Sequence, residues 1–305
     1  MNNLTVFSEF ILLGLSADPH VQALLFVLFL VIYLLTLMGN LVMILVIRTD
    51  SHLHTPMYFF LGHLQLLSFL DVCLSSVIVP KMLQNFLSHK NSISLCGCIT
   101  QSFFFILSGT TGGCLLSAMA YDHYAAICHP LLYTIIMNKS LCIVMVSAAW
   151  AMGFLNSLVN NLFIYKLHFC GSNTIPHFSC ELPSLLLLSC TDPTANELLL
   201  SGSTAFLGLL SVPLILFSYC RIISAILSIR SSGGQGKAFS TCSSHLTVVL
   251  LFYGTGLFRY ISPPSGSLLE QVVSIQYSVL TSLLNPIIYS LKNQEVKAAL
   301  QRMLK

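Results

Sequence analysis

An all-α membrane fold, a bundle of seven transmembrane helices with an extracellular N-terminus and a short amphipathic surface helix at the C-terminus, is predicted by three features of this 305-residue chain. Hydrophobic residues make up 55% of it and charged residues 8%, with a mean hydropathy of +0.85, far more apolar than a water-soluble domain. Its apolar runs reach the about 20 residues that a bilayer core requires. The charges between the runs are shared unequally. Arg48, Lys139, Arg221, Arg230, Lys237, Lys292, Lys297, Arg302 and Lys305 fall on one side, and Lys81, Lys90, Lys166 and Arg259 on the other. The basic side is expected to face the cytosol. The acids follow suit: Glu9, Asp18, Glu181, Asp192, Glu197 and Glu270 lie outside, against Asp50, Asp122 and Glu295 inside.

Residues 1–20 form an extracellular segment with no basic n-region, so a removable signal peptide is not expected and the first span inserts itself. Asn3-Leu-Thr5 is a glycosylation sequon, usable with the N-terminus outside. The membrane-spanning domain covers residues 21–291. Val21 to Ile47 is uncharged and makes span 1; Pro56 opens span 2, which runs to about Pro80 and carries Asp71. Span 3 starts near Leu95 and ends where a long uncharged run meets Asp122 and His123. Span 4 covers about Ser140 to Tyr165, and a polar loop, 166–197, follows. Span 5 reaches about Cys220, a glycine-rich linker runs from Arg221 to Lys237, and span 6 covers Ala238 to Ile261, closed by Pro263-Pro264. Span 7 is Gln271 to Leu291. Residues 292–305 are a cytoplasmic tail patterned as a helix lying on the membrane surface.

Several function classes are disfavoured. A net charge of +3 is no nucleic-acid footprint. No internal repeat and no intramembrane charge beyond Asp71 points to a transporter or channel. No His-Glu-x-x-His pattern or paired intramembrane aspartates point to a protease, and no enzyme, cofactor or metal reading is supported. Of 11 cysteines, Cys96, Cys98, Cys170, Cys180 and Cys190 map to the oxidising side, where disulfides persist; the other six are expected as free thiols.

Met119-Ala-Tyr-Asp-His-Tyr124 with Ala126-Ile-Cys-His-Pro130 resembles the helix 3 signature of the olfactory receptors, a branch of the rhodopsin-like G-protein-coupled receptors. The resemblance continues in Gly39-Asn40, Pro56-Met-Tyr-Phe-Phe60, Ser68-Phe-Leu-Asp71, Ser218-Tyr219, Lys237-Ala-Phe-Ser-Thr-Cys-Ser-Ser-His245 and Leu284-Asn-Pro-Ile-Ile-Tyr289. Trp150, the only tryptophan, fits span 4, and the loop Leu167 to Cys180 resembles the family's second extracellular loop. By that resemblance Cys98 pairs with Cys180 and Cys170 with Cys190, with Cys96 left over.

The resemblance implies a plasma-membrane receptor that binds a small volatile odorant and activates the olfactory stimulatory heterotrimeric G protein, raising cyclic AMP; it also allows a homo- or hetero-dimer. Asp122, His123, Tyr124, Tyr219, Lys237, His245, Asn285, Pro286 and Tyr289 would carry coupling and activation. Pro286 breaks the span 7 ladder into a hinge. Asp71, costly at mid-membrane, needs polar partners, for which Asn40 and Asn285 are the candidates. By analogy the ligand pocket is lined by Phe105, Ile106, Gly109, Thr110, Ser203, Leu207, Gly256, Tyr260 and Ile275. These are apolar with a few hydroxyls and no acid, so an amine anchored by an ion pair is not expected.

Three departures cluster on the signalling machinery. His123 stands where the family has Arg, replacing a permanently charged five-donor fork. Gly112-Gly113 occupies the place where many members carry Glu. His63-Leu-Gln-Leu-Leu-Ser-Phe-Leu-Asp71 has three residues more than the family's pattern, which rotates one side of the helix by about 60° or forces a bulge. They define the alternative: a folded but signalling-impaired receptor-like protein, acting as a ligand sink or dimer partner.

Overall fold

In a computed structural model, residues 9–50, 58–88, 91–170, 172–228, 232–261, 267–292 and 294–303 are described; the side chains of residues 58–61, 232, 237, 241, 259–261, 291–292 and 294–295 are not. Asn3 and Pro56 lie outside the described residues, as do the side chains of Lys237, Arg259 and Tyr260.

Among the described residues, seven helical stretches are long and apolar enough to cross a membrane. Three of the long helices, α1, α3 and α5, start where a polar side chain meets the orphan N–H groups of the first turn. Asp18 accepts from His20 N at 2.8 Å ahead of α1 (Pro19–Thr49), with proline at the first helical position. Ser94 caps α3 (Leu95–Cys128) through Gly97 N, and Asn138 caps α5 (Lys139–Ile164) through Leu141 N. The other spans are α2 (Tyr58–Leu87), α7 (Thr194–Ser228) and α8 (Ser232–Ile261). The seventh is compound: α9 (Leu268–Ile275), a π-helical segment Gln276–Leu280, and α10 (Thr281–Lys292). Short helices α4 (Tyr133–Ile136) and α6 (Leu182–Leu186) lie between spans, and α11 (Gln294–Met303) ends the chain.

Several boundaries differ from those expected. Pro80 sits inside α2, which continues to Leu87, and Pro213 lies inside α7. Neighbouring helices tolerate such prolines by re-satisfying the freed groups. The linker expected from Arg221 to Lys237 is largely helical: α7 runs on to Ser228 and α8 begins at Ser232, so its glycines extend the span. The three extra residues before Asp71 raise no bulge, and α2 is α-helical throughout. Span 7 does carry a π turn, closed by Thr281 Oγ1 donating to Gln276 O at 2.8 Å.

α3 is the axle of the bundle: almost every side chain from Ile106 to His123 is buried, whereas α1 shows a broad apolar face outward. One core cluster, with Leu115, Leu116, Met119, Tyr219, Val248 and Tyr289, fills the half nearest α11. At the other end sits a cap. There β1 (Glu9–Leu12) pairs antiparallel with β2 (Ser92–Ser94) and parallel with β3 (Thr174–Ile175), which inserts the N-terminal segment between the start of α3 and the loop. Phe10 and Leu12 are fully buried there. Cys98 is bonded to Cys180, with Cα atoms 5.1 Å apart, and Cys170 and Cys190 pair at a Cα separation of 5.8 Å. Cys96 is a free, exposed thiol.

Candidate ligand and coupling sites

Span 7 is held by a repair of its own proline. Pro286 has no N–H, which leaves the carbonyl four residues back, that of Ser282, without a helical donor. Asn40 Nδ2 donates to Ser282 O at 2.9 Å and to Thr36 O at 3.0 Å. Gly39 admits the proline ring, since a Cβ there would stand 3.1 Å from Pro286 Cγ. Of the two partners expected for Asp71, Asn285 bonds it, Nδ2 to Oδ2 at 2.8 Å; Asn40 is instead taken up by the freed carbonyl. Asp71 and Asn285 line a cavity of about 30 Å³, with Leu67, Ser108, Gly112, Phe252, Tyr277 and Thr281.

Near α11 the coupling residues divide between two networks. Asp122 accepts a hydrogen bond from Tyr133 Oη at 2.8 Å, both side chains being buried. Burial, reinforced by the Asp122 carboxylate, pushes the Tyr133 phenol up and keeps it a donor. His123, 5% exposed, faces the other way, its ring 5.2 Å from that of His245. His245 Nε2 lies 3.1 Å from Leu116 O, which can only accept, so that nitrogen carries a proton. In the neutral ring Nδ1 is then an acceptor, and Tyr219 donates to it at 2.6 Å. Spans 3, 5 and 6 are thereby joined through His123, Tyr219 and His245. Tyr124 pairs with His129 Nε2 at 3.0 Å, and Tyr289 is fully buried.

Of the nine residues expected to line a ligand pocket, the eight with described side chains, all but Tyr260, do not gather in one place. Phe105, Gly109 and Ile275 gather around Tyr277 and its neighbours. Ile106 packs instead into the cap core with Cys98 and Ile164. Thr110 Oγ1 accepts from Asn156 of α5 at 2.9 Å, and the Ser203 hydroxyl bonds back to Leu200 O of its own helix. Leu207 and Gly256 are half-buried, and none of the eight whose side chains are described lines the cavity beside Asp71.

One acid outside the expected lining is buried at the cap end. Glu181, next to the bridging Cys180, is 1% exposed and accepts from Ser274 of span 7 at 2.8 Å, with His177 Nε2 3.8 Å from it. Disulfide bonding of Cys180 to α3 draws its neighbour into the bundle. Gln101 strengthens that attachment, donating to Val77 O at 3.1 Å and accepting from Cys180 N at 3.0 Å. Sequence reasoning passed over Tyr133, Glu181 and Tyr277, which belong to no motif; the position of Glu181 beside Cys180 was the one available signal.

A family model described as olfactory receptor matches residues 29–305. Human olfactory receptor 8S1 is 55% identical over 97% of this chain and 82% of its own length. Human olfactory receptor 5AN1 is 49% identical, covering 99% of this chain and 97% of its own, and mouse olfactory receptor 1E16 is 48% identical over 99% and 96%. The match runs through the Asp71–Asn285 pair, the proline hinge and the three-span junction at His123, and the chain belongs to the olfactory receptor family of seven-helix, multi-pass G-protein-coupled receptors, which are not enzymes.

Proposed function

We propose that this receptor binds a small, volatile, mostly apolar odorant inside its bundle and activates the olfactory stimulatory G protein, raising cyclic AMP, from the plasma membrane with its N-terminus outside. In this reading residues 21–291 are the receptor domain, 1–20 its extracellular lead, with Asn3 glycosylated, and 292–305 its cytoplasmic tail. The observation that carries it is the buried junction of His123, His245 and Tyr219, which ties spans 3, 5 and 6 at the end opposite the cap. Such a junction has two discrete states, closed and parted. A ligand that binds the parted state better shifts the population and opens a cavity between these spans for the G protein. The hinge at Pro286 and the pair Asp71–Asn285 transmit the change along span 7.

A second reading, a folded receptor that signals poorly and serves as a ligand sink or dimer partner, is favoured by one specific feature. His123 replaces a guanidinium, and Asp122 is already satisfied by Tyr133. A cyclic AMP reporter in cells, challenged with an odorant panel, separates the two. The first reading expects responses from the unsubstituted chain, abolished by removing the G protein. Responses only in His123→Arg would establish the second.

A further inference from the structure

Span 7 is interrupted by the π-helical segment Gln276–Leu280, between α9 and α10. Residues 268–285 contain neither glycine nor proline, and Pro286 acts on the carbonyl of Ser282, below the segment. The cause of the π turn therefore lies outside its own sequence. Two side chains, one on each side of it, supply that cause. Above, Ser274 Oγ donates to Glu181 of the disulfide-tied loop at 2.8 Å; below, Asn285 Nδ2 donates to Asp71 of α2 at 2.8 Å. An α-helix turns about 100° per residue, so the eleven steps from Ser274 to Asn285 would make about 1100°, which is three full turns and about 20°. The two side chains would then leave the helix on nearly one side. A π turn holds one residue more than an α turn, which sets the pair about 80° apart. That surplus residue lets span 7 reach the loop and α2 together.

We propose that this π turn is a register switch held by the cap. When Ser274 releases Glu181 the turn reverts to α-helix, and the outer part of span 7 rotates by about 100° while Asn285 stays on Asp71. The π form is closed by Thr281, whose hydroxyl donates to Gln276 O at 2.8 Å, the same carbonyl that its N–H reaches. Tyr277 travels with the outer part. Its ring lies between Phe105 and Phe252, at centroid distances of 5.1 and 5.5 Å, and a Cβ on Gly109 would stand 2.6 Å from its hydroxyl oxygen. Rotation withdraws that ring from α3 and α8, so a contact broken at the cap is read in the middle of the bundle, at the cavity that Tyr277 lines with Asp71. The device belongs to the fold and stands whether or not the chain signals.

The test uses the full chain in lipid nanodiscs, with 3-fluorotyrosine placed at position 277 and read by fluorine NMR. Ser274→Ala, which cuts the attachment to the cap, should add a second resonance. Removal of Ser278, whose hydroxyl turns back to Ser274 O at 2.7 Å, takes away the surplus residue. That chain should keep both attachments in an unbroken α-helix and melt within about 5 °C of the unsubstituted one. Adding Ser274→Ala to it should give no second resonance. Removal of Ile288, below both attachments, has no surplus to draw on and should lower the midpoint by more than about 10 °C. A single unmoved resonance in Ser274→Ala, a second resonance that survives removal of Ser278, or equal melting losses for the two deletions would overturn the assignment.

Discussion

Asn40 earns its place through a missing hydrogen rather than through a charge. With the Ser282 carbonyl deprived of a donor by Pro286, Asn40→Ala leaves that oxygen buried and unpaired, at a cost of about 1–3 kcal/mol. Thermal unfolding of the purified receptor measures it, and an unchanged midpoint would mean that the carbonyl finds another donor. Two glycines make a paired prediction at the same scale. A Cβ on Gly153 would run into the Thr111 hydroxyl and approach the Leu107 carbonyl oxygen to 3.2 Å, so Gly153→Ala should destabilise by about 1–3 kcal/mol. Gly112 meets nothing closer than 3.5 Å, so Gly112→Ala should be neutral or gain up to about 1 kcal/mol from helix propensity. The same melts decide between them, and equal shifts would refute the packing argument.

At the scale of the element, α11 is attached by two unequal means. Val296 and Ala299 are fully buried against the bundle, and Arg302 pairs with Asp50 at 2.7 Å. Arg302 is 41% exposed, so its pair contributes less than about 1 kcal/mol. Burial of the apolar face, not the ion pair, therefore holds the helix. Asp50→Asn should leave amide exchange across residues 294–303 nearly unchanged, whereas Val296→Asp, which buries an unpaired charge, should release it. Fast exchange in both variants would reverse the ranking. β1 obeys the same logic at the opposite end, where Phe10 packs edge-on against Phe169 with centroids 5.3 Å apart and ties the N-terminal segment to the loop.

For the whole molecule, the basic residues and the span count make one joint statement. An odd number of crossings puts the two termini on opposite faces, and from the excess of Lys and Arg in the short loops near α11 that face is expected to be the cytosolic one. An epitope fused to the N-terminus should be stained on intact cells, and one fused to the C-terminus only after permeabilisation. The reverse pattern, or both tags on one side, would contradict the assignment.

Composition and run length were sufficient for seven helices, because a bilayer demands internal satisfaction of every backbone group and leaves the helix as the one open structure that complies. Asp71 with Asn285 was legible because an acid at mid-membrane must find a polar partner. Helix ends were not legible at Pro80 or at the glycines after Ser231, since neighbouring spans repair what a proline or glycine weakens and local propensity does not register a neighbour. Nor was the descent of Glu181 onto Ser274, which depends on a disulfide anchoring Cys180, or the swing of Asn40 to Ser282, which depends on two spans lying side by side. The sequence by itself determined that the chain spans a membrane seven times and which residues pose an electrostatic or hydrogen-bonding problem there. Only the tertiary structure decided which neighbour answers each problem, because a buried donor pairs with the acceptor nearest in space, and nearness in space is a property of the packed bundle.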